Sequence, residues 1–179
     1  ETDSDVLIEA AAGQNWHELV MWSVDQNLSG LENMALIPGT VGGAAIGNIA
    51  AYGGNQEDVL VNVQTTTQLF QKSDCQFSYR HSFFKNHPEL LITSVTYRLS
   101  KIPRLNTSYH ATRHASLLPT LQQIAKEPYT VKDIFNAIVK LRTDKLPNID
   151  KVGTAGSFFK NPIITKQKFV VNSLFLFRL

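Results

Sequence analysis

Cysteine is almost missing from this chain of 179 residues: Cys75 stands alone, which excludes an internal disulfide and fits a reducing compartment. An excess of either charge is missing too. Lys and Arg number 17 against 15 Asp and Glu, and the net charge of +2 is scattered along the chain, so no basic block invites nucleic acid or an acidic membrane. No apolar run reaches the roughly 18 to 20 residues of a membrane helix, and no charged-then-apolar leader opens the sequence. The expectation is a cytoplasmic chain with no nucleic acid and no membrane among its partners. His17, His81, His87, His110 and His114 share no ligand spacing with Cys75 or the carboxylates, so no metal is expected. Internal repeats and low-complexity tracts are lacking as well.

What is present suits a packed core: 43% of the residues are hydrophobic and 18% charged, ordinary values for a globular protein. Val6 to Ala10 reads as a strand, already under way so close to Glu1 that the start resembles a cut; the uncapped apolar ending from Leu174 to Leu179 reads the same way. Asn15 with Glu18 forms a capping-box signature for a helix carrying Trp16, Leu19, Val20, Val24 and Leu28, which Gly30 is expected to stop. Val59 to Phe70 and Leu91 to Leu99 read as strands. Leu118 to Ala125 suggests a short helix, and Thr130 with Asp133 caps a firmer one through Leu141, closed by Pro147. From Asn148 the composition turns to Gly, Ser, Phe and Asn, which places a domain boundary there. Met34, Trp16 and Trp22 are expected to pack in the core or loops.

The densest chemical signal is the run from Gly30 to Gly54. Backbone poor in side chains can turn N–H groups toward a pyrophosphate, and Pro38 before Gly39 sets a tight turn. Composition alone leaves two readings open, a dinucleotide cradle or a glycine-rich turn packed on a sheet. The run is neither a Rossmann fingerprint nor a P-loop.

Gly30-Leu31-Glu32-Asn33, Ile37-Pro38-Gly39-Thr40-Val41-Gly42-Gly43 and Asn48-Ile49-Ala50-Ala51-Tyr52-Gly53 stand in the order used by the UDP-N-acetylenolpyruvoylglucosamine reductases. Three further blocks agree. Tyr79-Arg80-His81-Ser82-Phe83-Phe84-Lys85 resembles that family's Tyr-Arg-Asp-Ser-x-Phe-Lys, Arg142-Thr143-Asp144-Lys145-Leu146-Pro147 its Arg-x-x-Lys-Leu-Pro, and Gly156-Ser157-Phe158-Phe159-Lys160-Asn161-Pro162 its Gly-Ser-Phe-Phe-Lys-Asn-Pro. The resemblance implies an α+β fold: an FAD-binding domain of the vanillyl-alcohol-oxidase type over residues 1–146, then the opening of an α+β substrate domain over 147–179.

The resemblance further implies FAD and NADPH as cofactors and the reduction of UDP-N-acetylglucosamine enolpyruvate to UDP-N-acetylmuramate, a peptidoglycan precursor step, by a monomeric parent enzyme. FAD contacts are implied at Ile37, Pro38, Gly39, Thr40, Val41, Gly42, Gly43, Asn48, Ile49, Ala51, Tyr52 and Gly53. Hydride addition beside a carboxylate builds enolate-like charge, which calls for a cation and a proton donor. Arg80 and Ser157 match those two catalytic roles. Lys145, Lys160 and Asn161 match contacts to the UDP-sugar, and Tyr109 a loop that closes over it.

Departures from the pattern bear on activity. His81 stands where the family has Asp, and Gly47 and Ala50 replace Gln and Gly. The N-terminal domain with its Gly-Ser-Asn segment and the C-terminal Glu have no counterpart here, so this chain alone is expected to be inactive. Two alternatives stay open: an inactive remnant or flavin- or nucleotide-binding module, and a related FAD-dependent alcohol or sugar oxidase.

Overall fold

A computed structural model describes residues 3–109, 117–147, 151–153 and 160–165. The chain divides into two compact units, Glu1–Asn148 and Ile149–Leu179. The first is α+β. Its sheet contains β1 (Asp5–Ala11), β4 (Leu60–Thr65), β5 (Leu69–Gln71) and β6 (Ile92–Ser100) in the order β1-β6-β4-β5, every neighbouring pair antiparallel. Ile8 faces Tyr97 across one ladder and Val63 faces Val95 across the next. Val63, Val95, Tyr97 and Leu99 are wholly buried, as alternating apolar residues on one face of a pleated strand should be.

Helix α1 (Trp16–Asp25) begins where Asn15 accepts a hydrogen bond from the Glu18 N–H at 3.2 Å. The reciprocal half of the expected box is replaced, because Glu18 Oε2 accepts from the Gln14 amide at 2.8 Å. Gly30 does not stop this helix. Asn27 takes the left-handed position (φ 55), its N–H bonds Val24 O and the Leu28 N–H bonds Ser23 O, which is a Schellman closure with Asn in the usual glycine place. Trp16, fully buried, meets Tyr97 edge-on at 6.0 Å, while Trp22 is 46% exposed, contrary to its expected packing; it lies on the outer face of α1.

The stretch expected as one strand from Val59 to Phe70 is broken in two. Thr65 Oγ1 accepts from the N–H groups of Thr67 and Gln68 and donates to Gln68 O, so a threonine side chain closes the turn between β4 and β5. The glycine-rich run contains a 3-10 turn (Glu32–Met34), helix α2 (Val41–Gly47) and the two-stranded pair β2 (Ala50–Ala51) and β3 (Gly54–Asn55). A single helical turn, α3 (Gln56–Val59), leads into β4. Helices α4 (Leu117–Ile124) and α5 (Val131–Lys145) pack on each other, with Leu117, Leu121, Ile134 and Ile138 fully buried, and α5 starts with a complete capping box between Thr130 and Asp133. Among the described residues no helix is long and apolar enough to cross a membrane.

Candidate functional site

The run Ile37–Gly43 forms the entry to α2. Thr40 caps that helix by accepting from the Gly43 N–H at 3.3 Å. The Val41 and Gly42 N–H groups bond Gln14 O and Ala12 O. The expected cradle of N–H groups is therefore engaged inside the protein from Val41 to Gly43, because α2 is tied down onto the end of β1. What the turn does offer is exposed backbone with little side chain: Pro38, Gly39, Thr40 and Gly43 are all exposed. Gly39 has φ +120 with open space where a Cβ would stand, a conformation that a side chain would strain.

The far end of α2 is fastened by the Tyr-Arg-His-Ser block. Asn48, left-handed at φ 43, is the C-cap, a position Asn tolerates better than most residues. Its amide donates to Ser78 O and to Glu57 Oε2, both at 2.9 Å. Ser82, fully buried, donates to Ile46 O at 2.8 Å. Arg80, itself at φ 54 in the turn between Ser78 and His81, donates to Asn48 O at 3.3 Å and to Ala50 O at 2.9 Å. Two blocks some thirty residues apart in sequence are thereby brought together, with the guanidinium of Arg80 lying along the Asn48–Ala50 backbone.

Beyond β2, Tyr52 is again left-handed (φ 49) and meets Tyr109 edge-on at 5.4 Å, so the structure brings these two sequence-predicted residues side by side. Burial pushes the Tyr52 phenol up, and the nearby Arg142 guanidinium opposes it. Asn33, to which the sequence motif assigns no role, is buried. Its amide donates to Tyr52 O at 2.9 Å and Asn106 O at 3.0 Å, and Asn106 donates to Gly53 O at 3.0 Å. A Cβ on Gly53 would come within 2.9 Å of that Asn106 amide, and its φ of +83 favours glycine. Sequence reasoning gave Asn106 no role: Asn33 and Gly53 lie dozens of residues away, and its Oδ1 accepts locally from the Ser108 N–H and hydroxyl.

These loops border a cavity of about 610 Å³ lined by Glu32, Asn33, Gly53, Gly54, Asp58 and Arg98 among others, within the size range of small-molecule sites. Glu32 is 2% exposed and accepts from the Gly30 N–H at 2.6 Å; burial pushes its carboxyl up, and the N–H groups of Gly30, Glu32 and Leu31 pull it back in part. Of the expected FAD residues only Gly53 lines this cavity. Three buried polar atoms in this unit, Asn48 Oδ1, Gln56 Nε2 and Arg142 Nε, have no hydrogen-bond partner. The exposed, side-chain-poor backbone from Pro38 to Thr40 fits the close approach of a dinucleotide cofactor; none of the three unmatched atoms belongs to a residue that lines the cavity. Lys145 lies in the last turn of α5. Lys160 and Asn161 belong to the second unit, and Ser157 lies outside the described residues.

A family described as FAD binding domain matches residues 1–69. The UDP-N-acetylenolpyruvoylglucosamine reductase of Flavobacterium johnsoniae is 42% identical over 178 residues, 94% of this chain and 51% of that protein. The reductase of Burkholderia lata is 43% identical over 179 residues, 94% of this chain and 50% of that protein. The chain is similar to UDP-N-acetylenolpyruvoylglucosamine reductases, and it spans about half the length of the curated relatives it matches. The crystal structure of the corresponding reductase from Thermus caldophilus shares the fold, with a TM-score of 0.63 at 21% identity over 93% of this chain and 53% of that one.

Proposed function

We propose that this chain is the FAD-holding and part of the substrate-holding portion of a cytoplasmic enzyme that reduces UDP-N-acetylglucosamine enolpyruvate to UDP-N-acetylmuramate with NADPH. The observation that carries the reading is the junction of Arg80 with the Asn48–Ala50 loop, within a chain 42% identical to a named reductase. Residues 1–146 would form the flavin domain and 147–179 the opening of the substrate domain. Ile37–Gly43, Asn48, Ile49 and Ala51–Gly53 would hold FAD, which supplies the hydride once NADPH has reduced it.

Arg80 has two roles in this reading. Its bonds to Asn48 O and Ala50 O use part of the guanidinium fork, and the remaining N–H groups are left to pair with the substrate carboxylate, where negative charge grows during reduction. Ser157 would deliver the proton to the carbon beside that carboxylate. Lys145, Lys160 and Asn161 would hold the UDP-sugar through charge and amide contacts, and Tyr109 would cover it from beside Tyr52. The two relatives named above are both reductases, which favours this reading over an oxidase.

Fluorescence titration of the chain with FAD tests the first half: quenching that saturates, with flavin retained through gel filtration, is expected. Flavin that elutes entirely apart from the protein counts against it. For the second half, Ser157→Ala in a reductase that includes this sequence should leave flavin reduction by NADPH intact while reoxidation by the enolpyruvate collapses. Unchanged turnover would remove Ser157 from the proton-donor role.

A further inference from the structure

Leu36, immediately before the Ile37–Thr40 turn, is gripped at both ends of its backbone. Its N–H donates to His17 Nδ1 at 3.1 Å, and its C=O accepts from Arg142 Nη2 at 3.1 Å. The two partners come from different helices: His17 from the first turn of α1, Arg142 from the last turn of α5. The same helices are locked to each other there, because the His17 ring stacks on Phe135 of α5 at 5.7 Å with 7° between the planes. The neighbouring residues are pinned as well, Trp16 Nε1 donating to Met34 O and the Trp16 N–H to Gly39 O, each at 3.0 Å. Leu36 needs such a grip, since it sits at φ 57, where leucine is held only if its surroundings over-determine it.

We propose that His17 and Arg142 are positioning residues that clamp the Leu36 peptide and so preset the Ile37–Thr40 turn for the flavin cofactor, and that protonation of His17 opens one jaw of the clamp. This rests on the FAD-binding reading. An imidazole nitrogen that accepts from an amide must be unprotonated; once protonated it presents a donor to a donor. Its surroundings resist that proton. From α5 the charged group facing it is Arg142, from its own helix it is Glu18, and the Met34–Gly39 segment brings no ionisable side chain. Burial, and then the Arg142 guanidinium, hold the His17 imidazole below its ordinary range, with Glu18 opposing weakly. Tyr52 is near enough to Arg142 to act on it electrostatically. The unpartnered Arg142 Nε leaves that guanidinium with donor capacity beside the turn.

The test uses the full chain. FAD affinity is measured by fluorescence titration across the imidazole range for the wild type, His17→Asn, His17→Leu and Arg142→Met, with a melting midpoint at each pH. Asn supplies an acceptor that cannot take a proton. Wild-type affinity is expected to fall about tenfold on acidification, the energy of one lost hydrogen bond; His17→Asn should flatten that profile, and His17→Leu and Arg142→Met should bind weakly at every pH. A profile in His17→Asn that still follows the wild type, or tight binding by the Leu and Met variants, overturns the proposal. A purely structural role would move the melting midpoints without the His17→Asn rescue of the pH profile. In parallel, the Leu36 amide resonance of the FAD-free chain should titrate with His17; an amide blind to that titration overturns the clamp independently. Should the wild type bind no FAD at any pH, the functional reading falls, while the Leu36 amide still reports whether the grip exists.

Discussion

In the four-stranded sheet, backbone N–H and C=O groups pair across regular ladders, and Val63, Val95 and Leu99 seal the face by burial alone. In the segment from Leu36 to Gly54 many of the same groups are instead held by side chains from elsewhere in the chain: His17, Arg142, Arg80, Asn33, Ser82 and Asn106. The sheet has extended backbone suited to any residue, whereas the segment holds Leu36, Asn48 and Tyr52 in the left-handed region, at roughly 1–2 kcal/mol each for residues other than glycine. One region is stable because of what it excludes from water. The other has its shape because of specific polar partners, so damage to the first should appear as unfolding and damage to the second as lost function.

The largest effect expected is in the sheet. Leu99→Ala opens a cavity beneath β6 and should lower stability by about 2–5 kcal/mol, read by urea denaturation, with FAD affinity little changed where the protein remains folded. Equal loss of affinity would break the contrast. Arg80→Met should do the reverse: in a reductase that includes this sequence, turnover should drop about 10²–10³-fold, as for loss of a charge-stabilising donor, with the melting midpoint nearly unmoved. Glu32, between the two regions, sharpens the contrast through pH. Its folded pKa is raised, so its contribution to stability is complete below the ordinary glutamate value of 4.5 and is lost as pH rises through the higher folded value. Glu32→Gln should therefore gain on the wild type between acid and neutral pH, by an amount that urea denaturation at both ends would show; a constant difference would mean that the folded pKa is not raised. Trp22→Gln should matter least, within about 0.5 kcal/mol, since the ring is half exposed on α1.

Much of the frame was legible in the sequence. Asn15 and Thr130 cap the two helices they announced, and the alternating run around Val95 is β6, because caps and periodicity are local. Where the reading failed, two local signals competed. Asn27 and Gly30 both suit a helix end, and the nearer one won once Leu28 could be buried behind it. The threonines from Thr65 to Thr67 favour strand, yet Thr65 used its hydroxyl to close a turn. The site blocks were legible only through family resemblance, and their mutual contacts were not legible at all: Arg142 finds Leu36 across 106 positions and Asn33 finds Asn106 across 73. The N–H groups of Val41 and Gly42 looked available for a ligand because nothing in a sequence shows that the end of β1 has already claimed them.

The left-handed leucine has a kinetic consequence. A turn whose peptide is fixed from both sides before any ligand arrives has no ordering step left to perform on encounter. Flavin capture at such a turn would proceed in one phase, with a rate that rises in proportion to flavin concentration and does not level off, whereas a turn freed at Leu36 would first wait for its own chain to find the right shape.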